Sequence, residues 1–225
     1  MKSPAKHPWA QFVGVLLVST AASLLLFTID AIRNRDLEFS YLIWNLFLAW
    51  LPLLLAGWLV KVLKHKLWSS WEALAASALW LLFLPNSFYM VTDYIHLADV
   101  QRVDILYDAV MFTSFVFVAM ILGIASLFLV HEQFRKRFSA LGSDVWLAGV
   151  FILCSFAIYL GRDLRWNSWD VLTNPGGLLF DVSERLIHPS EYPQMLLTMF
   201  IFFVLIASVY SLSWKSIQLI RQSRP

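Results

Sequence analysis

Apolar stretches long enough to cross a bilayer recur along the chain, and short polar segments separate them. A helix rises about 1.5 Å per residue, so about 20 apolar residues span a hydrocarbon core. The runs Trp9–Ile29, Tyr41–Leu63, Trp71–Tyr94, Tyr107–Val130, Val145–Leu164 and Pro193–Trp214 meet that length, the fifth being apolar only as far as Leu160. Pro85-Asn86 interrupts the third. Proline lacks an N–H and crowds the preceding turn, so this helix is predicted to be broken there. Beyond Asn174-Pro175-Gly176-Gly177, which reads as a turn, Leu178, Leu179, Val182 and Leu186 form an apolar face opposite Asp181, Glu184 and Arg185. That pattern predicts a short helix over about 178–187 lying in the interface, either as a lid or as a plain surface element. The expected fold is all-α: a polytopic bundle of six transmembrane helices forming one integral membrane domain over residues 1–225.

Composition supports lipid as the solvent. Hydrophobic residues make up 60% of the chain and charged residues 14%, with a mean hydropathy of +0.68. A soluble domain carries about 25% charged residues, so this chain could not cover itself in water. Cys154 is the sole cysteine, which excludes a disulfide or a cysteine-based zinc site within the chain. Lys2 and Lys6 precede the first run as in a signal peptide, but no small-x-small cleavage site closes it, so it is expected to be a retained anchor.

The charges also predict an orientation. Every lysine, together with Arg135, Arg137, Arg221 and Arg224, falls on one side of the spans; Arg33, Arg35, Arg102, Arg162, Arg165 and Arg185 fall on the other. The positive-inside rule makes the lysine side cytoplasmic, with both termini inside. All acidic residues except Glu72, Glu132 and Asp144 lie on the opposite, outer side. Trp9, Trp44, Trp68, Trp71, Trp146 and Trp214 sit near span ends, as an interfacial belt requires. The basic groups at 61–66 and 135–137 flank spans and suit anionic headgroups; no nucleic-acid partner is expected.

Two polar strings carry the candidate chemistry. In residues 84–97, Asn86, Tyr89, Asp93 and His96 recur at spacings of 3, 4 and 3, one stripe of a helix that Asp104 would continue. Asp93 and His96 are candidate proton carriers or metal ligands, with Asn86 and Tyr89 as ligand-binding neighbours. In residues 160–170, a helical reading puts Arg162, Arg165, Trp166 and Trp169 on one face, and Asp163, Asn167 and Asp170 on the other. Guanidinium groups beside indole rings suit phosphate headgroups. Asp163 and Asp170, with Asp93 and His96, offer candidate ligands to a divalent metal. A structural reading stands beside each: arginine and tryptophan are what an interface selects, and Arg162 or Arg165 is expected, within the functional reading too, to pair with Asp93 and lock two helices together. An ionisable group at membrane depth costs roughly 2.5–3.5 kcal/mol on insertion scales, so it needs a partner or a task. No glycine loop or cofactor fingerprint is present, and Ser168 and Thr92 lack a base-and-orienter set.

The residues Leu84-Pro85-Asn86, Tyr89, Thr92-Asp93 and His96-Leu97, then Leu160-Gly161-Arg162 and Leu164-Arg165-Trp166-Asn167-Ser168-Trp169-Asp170, resemble a prokaryotic multi-pass membrane family, domain of unknown function 1361. In that pattern a small residue and a proline often separate the asparagine from the tyrosine; Ser87-Phe88 stand there instead, implying a less rigid backbone. The resemblance runs from about the second span onward. It implies a bacterial-type cytoplasmic membrane and no particular activity. Three readings follow from the residues: an outward polar site for a phosphate-bearing or lipid-linked ligand, with or without a metal; a transporter or channel working at the broken third helix; and a non-catalytic scaffold or complex subunit. The lipid bilayer is the one partner common to all three.

Overall fold

The computed structural model describes residues 8–99 and 104–223; Lys2, Lys6, Arg102 and Arg224 of the charge reading lie outside them. Among the described residues every regular element is helical. The long helices are α1 (Pro8–Asn34), α2 (Tyr41–Val62), α3 (Trp71–Tyr89), α5 (Ile105–Arg137), α6 (Ala140–Asp163) and α9 (Pro193–Gln222), with short helices α4 (His96–Asp99), α7 (Asp170–Thr173) and α8 (Pro175–Ile187). Six helical spans are long and apolar enough to cross a membrane. Several outrun the apolar stretches that mark them, α5 and α9 by about two turns, because a helix continues through charged residues once it leaves hydrocarbon. Polar caps open the segments: Ser70 accepts from the Ala73 N–H, Asp104 from Tyr107, and Ser139 from Gly142.

The third helix departs from α geometry one turn later than the sequence implies. It runs unbroken through the buried Pro85 and tightens into a 3₁₀ segment over Met90–Ile95. Side-chain donors serve the carbonyls around the proline: Asn86 Nδ2 donates to Phe83 O at 3.0 Å, and Ser168 Oγ to Leu82 O at 3.3 Å. The acceptor that Pro85 leaves without its helical donor is the Leu81 carbonyl, next in line to these two. Nor does Asp104 continue the polar stripe; it caps α5 and pairs with Arg33 at 3.0 Å.

Helix α5 is the hub, packed against α1, α2, α3, α6 and α9. Helices α2 and α3 pack closely through Ala49, Ala56, Ala73 and Ala76, all fully buried. Small residues let helix backbones approach where lipid removes the hydrophobic drive for association. Gly123 does the same for α5 and α3: a Cβ there would lie 2.8 Å from both Phe88 Cζ and Ser87 Cβ. Large apolar side chains such as Val18, Leu54, Phe117, Phe200 and Leu212 remain exposed around the bundle, as lipid-facing residues should.

Candidate functional site

Helices α2 and α6 both pack on α3 and not appreciably on each other, leaving a cleft with α3 as its floor. At one end of the bundle the cleft widens into a cavity of about 330 Å³. The first polar string forms its floor through Asn86, Tyr89, Asp93 and His96, and the second closes it through Gly161, Trp166, Asn167, Ser168 and Trp169. Two stretches more than sixty residues apart in the chain therefore share one concavity.

A third contributor has no counterpart in the sequence reading. Tyr41, Trp44, Asn45 and Leu48 of α2 form the opposite wall. Asn45 Nδ2 donates to Asp93 Oδ2 at 3.0 Å, and Asp93 is 3% exposed. The signal was available: Asn45 is the only amide or charged side chain between Tyr41 and Val60. Trp44, assigned from sequence to the interfacial belt, also meets Trp169 edge-on at 6.2 Å, while Tyr41 meets His96 at 5.2 Å. The Tyr41 hydroxyl is buried and makes no hydrogen bond among the described residues.

The expected pairing of Asp93 with Arg162 or Arg165 does not form, because Asn45 supplies the donor and the arginines sit elsewhere. The second string is not one helix. Helix α6 stops at Asp163, Arg165 takes the left-handed conformation at φ 59°, and the Trp166 N–H turns back to Leu160 O at 3.1 Å. That reversal dissolves the two predicted faces. Trp166, Asn167 and Trp169 go to the cavity, whereas Arg162, Asp163, Arg165 and Asp170 do not line it. Arg162 and Arg165 lie beside the cavity, next in the chain to Gly161 and Trp166, which line it. Gly161 permits the approach: a Cβ there would press on the Tyr89 ring at 3.3 Å and on the Trp166 carbonyl at 3.4 Å.

Asp170 organises the loop. Its carboxylate accepts from the Asn167 N–H at 2.7 Å and from Thr173 Oγ1 at 2.9 Å. The Asn167 backbone donor, more than any other contact, holds that carboxyl below the usual aspartate range. Ser168 pins the same loop to α3, accepting from Asn86 Nδ2 at 3.1 Å. Among the described residues no three histidine, cysteine or acidic side chains could converge on one metal ion. Asp93 and His96 share the cavity, but Asp163 and Asp170 are apart from them.

Helix α8 starts earlier than expected, at Pro175, with Asn174 accepting from the Gly177 N–H. A Cβ on Gly177 would lie 2.7 Å from Asn174 Nδ2, so glycine is what admits this cap. Its charged face turns into the protein instead of toward water. Arg185, 8% exposed, donates to Tyr159 Oη at 3.3 Å and to Asp181 at 3.1 Å; Trp166 Nε1 donates to Asp181 at 2.8 Å; and Tyr192 Oη donates to Glu184 at 3.0 Å. Leu179, Phe180, Leu186 and Ile187 remain more than 60% exposed. Leu178, also part of the cavity wall, packs with Val182 on Tyr159, Leu160 and Met195.

Residues 44–209, covering most of the helices and every element around the cavity except Tyr41, match the family model described as protein of unknown function (DUF1361). The chain belongs to the DUF1361 family. Its matched span includes both polar strings and Asn45, so the family signature covers the cleft and its roof. No curated protein and no solved structure matches the chain.

Proposed function

We propose that this multi-pass membrane protein holds the polar headgroup of a lipid-linked, phosphate-bearing ligand in the cavity at the outer end of the α2–α3–α6 cleft, in a bacterial-type cytoplasmic membrane. The observation that carries the reading is the run of exposed apolar side chains that continues from the cavity along both α3 and α6. Along α3, the cavity residues Leu82 and Asn86 are followed one and two turns away by the exposed Leu79, Ala78 and Leu74. Along α6, Ala157 is followed by the exposed Leu153. A lipid chain lying against those side chains delivers its headgroup to Asn45, Asn86, Asp93 and Asn167. The cavity volume of about 330 Å³ stands at the low end of the roughly 300–1,000 Å³ of small-molecule sites. It suits a headgroup and leaves acyl chains outside. Arg162 and Arg165, which make no hydrogen bond or ion pair with the described residues, flank cavity-lining Gly161 and Trp166 in the chain, within reach of a phosphate at the cavity edge, and arginine forks match phosphate oxygens.

The test is lipid retention. Purified wild-type protein is expected to carry lipids detectable by native mass spectrometry. Asn45→Leu and Ala157→Phe, which remove a polar contact and fill the cavity, should lose them at an unchanged helical content. Equal retention in folded variants would overturn the reading. One observation favours the scaffold alternative: Asn45–Asp93 and Asn86–Ser168 join separate elements as polar glue. That alternative predicts that Asn45→Leu lowers thermal stability and abundance together without any selective change in bound lipid.

A further inference from the structure

Resting on the proposed headgroup site, we infer that the group it selects is an ammonium, making its ligand a zwitterionic aminophospholipid. Asp93 is 3% exposed, lines the cavity, and among the described residues forms no ion pair with any lysine, arginine or histidine; Asn45 is its one donor. A buried carboxylate without a counter-charge is costly, and a single neutral amide offsets only part of that cost. A cation entering the cavity supplies what the fold omits. The walls specify which kind of cation. Tyr41, Trp44, Tyr89, Trp166 and Trp169 all line the cavity. Aromatic faces around a carboxylate are the recognition chemistry of alkylammonium groups, whose soft, weakly hydrated surface gains from ring quadrupoles. A hard divalent metal favours several charged oxygen ligands, whereas Asp93 is the one acidic residue lining the cavity, and among the described residues no three histidine, cysteine or acidic side chains converge. An anionic or uncharged headgroup would leave Asp93 uncompensated.

The two charges of the ligand then match the two poles of the site. The ammonium occupies the aromatic cage against Asp93, and the phosphate, a short arm away, lies with Arg162 and Arg165 at the cavity edge. Cation recognition also accounts for the placement of the arginines. Either guanidinium inside the cavity would neutralise Asp93 itself and compete with the ligand.

The experiment uses full-length protein in detergent, titrated with dihexanoyl phosphatidylethanolamine, dihexanoyl phosphatidylcholine, dihexanoyl phosphatidylglycerol and glycerophosphoethanolamine, reading Kd and the thermal midpoint. The amino lipids are expected to bind wild type at least tenfold more tightly than phosphatidylglycerol. Asp93→Asn, which keeps the Asn45 bond and removes the charge, should abolish that preference. Trp169→Leu, at a position 40% exposed and therefore tolerant, should weaken it several-fold and decides the matter if Asp93→Asn does not fold. Phosphatidylglycerol binding as tightly as the amino lipids, with the preference absent, overturns the ammonium assignment and leaves the lipid-headgroup reading standing. Glycerophosphoethanolamine binding as tightly as the lipid keeps the ammonium and overturns the lipid. No binding of any of the four overturns both.

Discussion

Arg165 occupies the left-handed region at φ 59°, where glycine is the usual residue and any other incurs roughly 1–2 kcal/mol. Its side chain is exposed and bonded to nothing among the described residues, so no contact within the fold offsets that strain. Strain kept without structural return points to a use for the side chain. Arg165→Gly is therefore expected to raise the unfolding free energy by about 1 kcal/mol while weakening phospholipid binding; a loss of stability would show that the guanidinium serves the fold. Asp170, a little further along the same loop, gives the opposite case. Its carboxyl is held below the ordinary range by the Asn167 N–H. A depressed pKa contributes stability that is present above the unfolded value of about 4 and is lost as pH falls through the lower, folded value. The order of the 166–173 loop should therefore persist from neutral pH down to about 4 and fade below it. Carbon-13 titration of the Asp170 carboxyl checks this, the expected midpoint lying below that of a free aspartate.

At the scale of elements, glycine placement separates packing from mere tolerance. Gly123→Val must push a branched side chain into Phe88 and Ser87, and overpacking of this kind costs about 1–3 kcal/mol. Gly14→Ala on α1 meets nothing within 4 Å and should be neutral or stabilising by up to about 1 kcal/mol, since alanine favours helix. Thermal unfolding of the two variants in one detergent gives the comparison. Which elements exist was readable from sequence because hydrophobic run length reports directly on bilayer thickness; all six spans follow from it. The two strings stood out as candidates because carboxylates, amides and arginine are costly near lipid, and residues of both line one cavity. What could not be read was anything set by partners distant in the chain. Asp93 was assigned an arginine because charge usually seeks charge, yet a lone asparagine on α2 takes that place. Periodicity put Arg162 and Trp166 on one helical face, but the chain reverses between them at Arg165, and no glycine announced the turn. Likewise, the polar face of α8 reads as water-facing in sequence, whereas Tyr159, Trp166 and Tyr192 supply it with partners inside.

For the whole molecule, the two ends of the bundle differ in charge, and that difference predicts which way it stands. Lys61, Lys64, Lys66 and the Arg135–Arg137 group lie at the end opposite the cavity, whereas the loop over the cavity and α8 carry arginine and acids but no lysine. Basic residues resist translocation across an energised membrane, so the lysine end should remain cytoplasmic and the cavity should face outward. The chain is suited to a direct test, because its single cysteine, Cys154, is 1% exposed and should not react with a polar thiol reagent. His65→Cys at the lysine end and His188→Cys after α8 both replace exposed histidines that make no side-chain hydrogen bond or ion pair with the described residues. In spheroplasts of a bacterial host, a membrane-impermeant maleimide should label position 188 at once and position 65 only after permeabilisation, with wild type silent throughout. Labelling in the reverse order would put the cavity on the cytoplasmic side. A headgroup taken up there would come from the inner leaflet, and the same two arginines would then meet the more anionic surface, where competition from acidic lipids makes selection of a zwitterion harder. The outward orientation thus bears on ligand choice as well as on topology.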